Sequence, residues 1–124
     1  MTKNEALDLI KKQLEVSIAY RKLLVKQHIE WGVDLDEIRM FQKHVEFLEN
    51  LDVSDPYTVR QQLVDAKREA RFEADRHRGP ENLWDRVEKW PEEERQARRE
   101  AMSMYMVTQS ELSTIDLFVD AIDE

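Results

Sequence analysis

Between Glu5 and Trp31 the apolar positions recur with a helical period, and no Pro or Gly interrupts them. At about 100° per residue, Asp8, Lys11, Lys12, Glu15, Lys22, Lys26 and Glu30 gather on one narrow side. Ala6, Leu7, Leu9, Ile10, Leu14, Val16, Tyr20, Leu23, Leu24, Val25 and Trp31 cover the rest. A surface helix ordinarily carries an apolar stripe little wider than about 100°. The wider arc here predicts neighbours on two sides, which makes this helix the spine of a small bundle. Ser17 and Arg21 fall inside the arc. A guanidinium there must meet a carboxylate, snorkel to water or face a partner. A buried pair with an acid from the second or third helix is the first expectation, and a contact between copies the second.

The punctuation along the chain predicts the other elements. Thr2 or Asn4 can cap the first helix, and Gly32 suits the left-handed position after its end. Asp34 to Glu37 reads as an acidic capping box, with Val33 and Ile38 as a hydrophobic staple. A second helix then runs from Leu35 to about Asn50, its inward face Ile38, Phe41, Val45 and Leu48. The short turn makes the first two helices an antiparallel hairpin. Asp52 to Pro56 is the clearest break. Ser54 or Asp55 caps a third helix with Pro56 in its first turn, reaching about Arg78. Val59, Leu63, Ala66, Ala70 and Ala74 share one side of it, and Phe72 lies opposite. Pro80 to Lys89 reads as a short fourth helix, and Pro91 opens a fifth that reaches about Val107. Thr108 to Glu111 has the form of another capping box. It predicts a last helix from Ser110 with Leu112, Ile115, Val119 and Ile122 as its stripe; one continuous helix over 91–122 is the alternative. Met102 to Val107 alternates like a strand, but its flanks are helical and it is read as helix.

The fold class is therefore all-α, a bundle of five or six helices. A helical hairpin over residues 1–53 and a helical region over 54–124 together form one compact domain. Composition agrees with long helices and solvated outer faces: the 124 residues are 37% charged, with two Gly and three Pro. The absence of Cys excludes disulfides, thiolate metal sites and Cys nucleophiles. Met1 to Asp8 contains no apolar leader core, and the longest uninterrupted apolar run is Leu23 to Val25. Both point to a protein free of membranes in a cytoplasm, a host's if the protein is viral.

Charge narrows the partners. The net charge is −8. Residues 1–55 contribute −3, residues 56–102 nothing, and residues 103–124 −5 without a single basic side chain. Such a chain is a poor default binder of nucleic acid or anionic lipid. The neutral middle third nevertheless places Arg60, Lys67, Arg71 and Arg78 on one side of the third helix. The simple reading is a solvated face with intramolecular pairs, each worth about 0–1 kcal/mol. The functional reading is a basic stripe for phosphate or for an acidic protein, and the acidic tail is its nearest mate.

Catalytic and metal chemistry find little support. None of His28, His44 and His77 has Glu three residues before it, as a di-iron bundle requires. Glu69, Glu73 and His77 share a face at spacings of four, which is also how a solvated helix looks. Two glycines cannot build a phosphate loop. No catalytic, cofactor or metal residue is assigned. The residues expected to form an interaction surface are Arg60, Lys67, Arg71, Arg78, Trp84, Trp90 and Arg21, since Trp and Arg dominate interface hot spots. Leu112, Ile115, Val119 and Ile122 are expected to dock the tail beside the third helix. The sequence thus reads as a non-enzymatic, self-associating protein-interaction module, regulatory, inhibitory or structural. A viral packaging or assembly component touching nucleic acid through the basic stripe is the second reading, and a metal-dependent all-α hydrolase the third.

Overall fold

A computed structural model describes residues 1–32, 34–77 and 90–123. Among them are four helices: α1 Lys3–Trp31, α2 Leu35–Glu49, α3 Pro56–Arg76 and α4 Glu92–Asp120. The protein is all-α. The short helix expected over residues 80–89 and the staple residue Val33 lie outside the described residues.

Each boundary has a local cause. Thr2 and Glu5 close a reciprocal capping box at the start of α1: the Glu5 amide donates to Thr2 Oγ1 at 3.1 Å and the Thr2 amide to Glu5 Oε1 at 3.3 Å. Gly32 ends α1 with φ 66°, and its amide reaches the His28 and Ile29 carbonyls. Asp34 caps α2 by accepting from the Asp36 amide at 2.9 Å. The acidic capping box expected there is not closed, because Glu37 directs its carboxylate at His28 and Arg99 instead. Asp55 accepts from the Tyr57 and Thr58 amides, and Pro56 occupies the first turn of α3. Gln62 holds the preceding loop by donating to the Asp52 carbonyl at 2.8 Å while its Oε1 accepts from the Asp52 amide at 2.9 Å.

The break expected near Ser110 does not occur, and α4 continues to Asp120. Thr108 Oγ1 donates back to the Met104 and Tyr105 carbonyls, and Ser113 Oγ to the Gln109 carbonyl. Hydroxyls satisfied inside the helix leave nothing for a cap to do. Glu111, expected to reciprocate the cap, is buried. Continuity lets Ala101, Val107, Leu112, Ile115 and Val119 face inward along one helix.

α3 and α4 pack as an antiparallel pair. The pair Arg60–Asp120 marks one end and His77–Glu94 the other. Ala70 and Ala74 on α3 and Ala101 on α4 are buried in this pair, which lets the helix axes approach closely. The α1–α2 hairpin lies across it. The shared core is Ile10 and Leu14 of α1, Leu48 of α2, Leu51 of the following loop, Val59 and Leu63 of α3, and Leu112, Ile115 and Val119 of α4. Phe47, Val53, Val64, Phe118 and Ile122 pack around it.

Candidate interaction surfaces

The arc of α1 divides in two. Ala6, Ile10, Leu14 and Ser17 face the core and are buried. About a quarter-turn away, Leu9, Gln13, Val16, Tyr20, Leu23 and Gln27 follow one another at spacings of 4, 3, 4, 3 and 4, the interval of a coiled-coil seam. Leu9 and Gln13 are half-buried. Further along, Val16 is 64% exposed, Tyr20 58%, Leu23 50% and Trp31, just past Gln27, 66%. The contact expected on both sides of α1 is thus made on one side only within a single copy. Lone exposed apolar residues are ordinary, whereas a contiguous stripe marks an interaction surface. Leu35, at the start of α2, and Ile29 leave further apolar area exposed around the hairpin tip.

The tip itself is braced. Trp31, His28, Phe41 and His44 form a ladder of rings with successive centroid separations of 5.7, 5.0 and 6.0 Å. His28 Nε2 lies 3.6 Å from Glu37 Oε2, and Arg99 of α4 donates to Glu37 Oε1 at 2.8 Å. One carboxylate therefore ties α1, α2 and α4 together, and the stripe is carried on a rigid support.

Arg21 is partly exposed and does not form the expected buried pair with an acid of the described residues. Its Nε is buried with no hydrogen-bond partner, and it has no ion pair among the described residues. Its neighbour is His44, which burial, and secondarily the Arg21 charge, push down to about 4. The α2 face expected inside was Ile38, Phe41, Val45 and Leu48. The structure buries Ile38, Met40, His44 and Leu48 and leaves Phe41 and Val45 half-buried. His44 Nε2 sits 2.8 Å from Ser103 Oγ. Its Nδ1 has no partner, so the acid that would make the ring a strong base is replaced by a guanidinium nearby. That is the reverse of the polarity of a hydrolytic triad.

The basic side of α3 is partly engaged. Arg60 Nη1 is 3.7 Å from Asp120 Oδ1 and lies over the Tyr57 ring. Lys67 and Arg71 both lie over the Tyr105 ring of α4, at 5.6 and 5.8 Å, and Arg71 pairs with Asp75 at 3.6 Å. Leu112, Ile115 and Val119 of α4 are buried in the core shared with α1, α2 and α3, with Ile122 packed against it. Trp90 is half-buried with an unpartnered indole N–H. Arg78 and Trp84 lie outside the described residues. In the Glu69–Glu73–His77 row, His77 is already held: Nε2 lies 3.0 Å from Glu73 and Nδ1 2.6 Å from Glu94. The Glu94 contact, then that of Glu73, raises its pKa above 6.5. Among the described residues no His/Asp/Glu group is arranged to hold a metal ion, and no helix is long and apolar enough to cross a membrane.

The exposed seam on α1 is absent from the residues that the sequence assigns to an interaction surface, although the wide apolar arc was its signal. No protein-family model, curated protein or solved structure matches this chain.

Proposed function

We propose that the protein is a non-enzymatic interaction module that self-associates through the outer face of α1. The observation that carries this reading is the exposed row Val16, Tyr20 and Leu23, continued at Trp31, on a helix whose adjoining face is fixed in the core. Those four side chains expose roughly 400 Å² per copy if each offers a typical 150–200 Å² when free. A standard interface buries about 800 Å² per partner, so Ala19, Gln27 and Leu35 around the row must contribute as well. Removing about 800 Å² of apolar surface from water in the pair gives roughly 20 kcal/mol. Association costs about 4–15 kcal/mol, which places a dimer in reach at micromolar concentration. The non-enzymatic reading draws support from the chemistry of the interior, where the Ser–His pair has a cation nearby rather than a carboxylate.

The test is sedimentation velocity of the intact chain and of Leu23→Glu across the micromolar range. The reading expects a concentration-dependent dimer for the parent and a monomer with unchanged helicity for the variant. A parent that stays monomeric throughout, or a variant that associates equally well, overturns it.

A further inference from the structure

α3 and α4 enclose an open groove of about 490 Å³ whose lining includes Val64, Lys67, Arg68, Arg71, Phe72 and Tyr105. Three features set it apart from an ordinary solvated face. Phe72 is 67% exposed in it. Lys67 and Arg71 are one helical turn apart, about 6 Å along the axis, and both are held over the Tyr105 ring. The cations are also poorly neutralised. Among the described residues Lys67 and Arg68 have no carboxylate partner, and Arg71 has Asp75, a half-exposed pair at 3.6 Å. An exposed pair of this kind is worth about 0–1 kcal/mol, so a ligand carboxylate can replace it. The acidic end of α4 does not fill the groove, since Asp120 is spent on Arg60.

We propose that this groove binds an acidic peptide segment of a partner protein that carries an aromatic or large aliphatic side chain. Carboxylates on successive turns or alternate positions of the segment meet Lys67, Arg68 and Arg71, and its apolar side chain seats on Phe72 and Val64 beside the Tyr105 ring. Nucleic acid is the other polyanion to weigh, because exposed aromatic rings also stack bases. Two observations favour the peptide. Strong nucleic-acid binders make about 6–10 phosphate contacts, and the groove offers three cations. The chain as a whole carries −8, a field that repels a long polyanion more than a short peptide. The inference is independent of the α1 surface.

Fluorescence anisotropy on the intact chain tests it with three labelled probes: a Glu/Asp-rich peptide carrying one Trp, the same peptide with Ala for Trp, and a mixed-sequence single-stranded DNA. The Trp peptide is expected to bind most tightly. Lys67→Ala combined with Arg71→Ala should weaken it at least about tenfold, Phe72→Ala should erase the advantage of the Trp peptide over the Ala peptide, and Lys12→Ala on α1, outside the groove lining, should change nothing. All these positions are at least partly solvent-exposed, and melting temperatures within a few degrees of the parent show that the variants fold. The proposal is overturned if the Trp peptide does not bind, if it binds equally well to the Lys67/Arg71 double variant, or if DNA binds more tightly with an affinity that falls steeply with salt.

Discussion

His44 turns burial into a pH dependence that can be calculated. The ring is 4% exposed, between α1 and α4, with Ser103 on Nε2 and nothing on Nδ1. Desolvation, then the Arg21 charge, lower its pKa from 6.5 to about 4. Between those values the unfolded chain binds the proton and the folded chain does not. Stability therefore rises with pH across this window and is lost on acidification. The whole displacement corresponds to roughly 3 kcal/mol at 1.36 kcal/mol per pH unit. The window from pH 7 to pH 5 covers only part of that displacement, so about 1–2 kcal/mol is lost across it. His44→Gln keeps a hydrogen-bonding group for Ser103 and does not titrate. Urea melts of parent and variant at pH 7 and pH 5 give the difference directly, and every other titrating group cancels in it. The parent should lose about 1–2 kcal/mol more than the variant on acidification. Parallel losses would show that the ring is not buried beside Arg21 as described.

Other consequences are simpler. Leu14→Ala removes a side chain that is 4% exposed and should cost about 2–5 kcal/mol, while exposed Lys12→Ala should stay within about 0.5 kcal/mol of the parent; equal costs in denaturant melts would mean that α1 faces the other way. Deleting residues 110–124 removes Leu112, Ile115 and Val119 from the core and should abolish cooperative melting or cause aggregation, whereas an unchanged melting temperature would contradict the described packing. Glu94 and Glu73 hold the His77 pKa above 6.5, so its clamp between α3 and α4 is complete below pH 6.5 and lost as pH rises through the folded value. The imidazole resonances should titrate above 6.5, and Glu94→Gln should move the midpoint down; a midpoint at or below 6.5 in the parent would rule the clamp out.

Much of the architecture was legible where one residue decides one boundary. Thr2 with Glu5, Gly32, Asp55 and Pro56 act through their own backbone groups, so local chemistry is enough to place α1, α2 and α3. The misreadings come from places where tertiary contact overrides a local signal. Thr108 to Glu111 has every feature of a cap, yet burying Leu112 and Ile115 along an unbroken α4 outweighs it. The sequence weighs His44 only as a metal ligand, and only the neighbouring helices show it buried with Ser103 on one ring nitrogen. The arc of α1 was visible as too wide for one contact. Which part of it the chain itself covers depends on how the hairpin lies across α3 and α4, and no spacing within α1 encodes that.

The central claim is that two copies meet through the outer face of α1. The chain has no Cys, so Ala19→Cys, at the exposed edge of the seam, carries one spin label per copy, and any dipolar coupling arises between copies. Electron–electron double resonance at micromolar concentration should give a single narrow interchain distance, and adding Leu23→Glu should abolish it. A background-only decay from the labelled parent, or a distance that survives Leu23→Glu unchanged, would contradict the account.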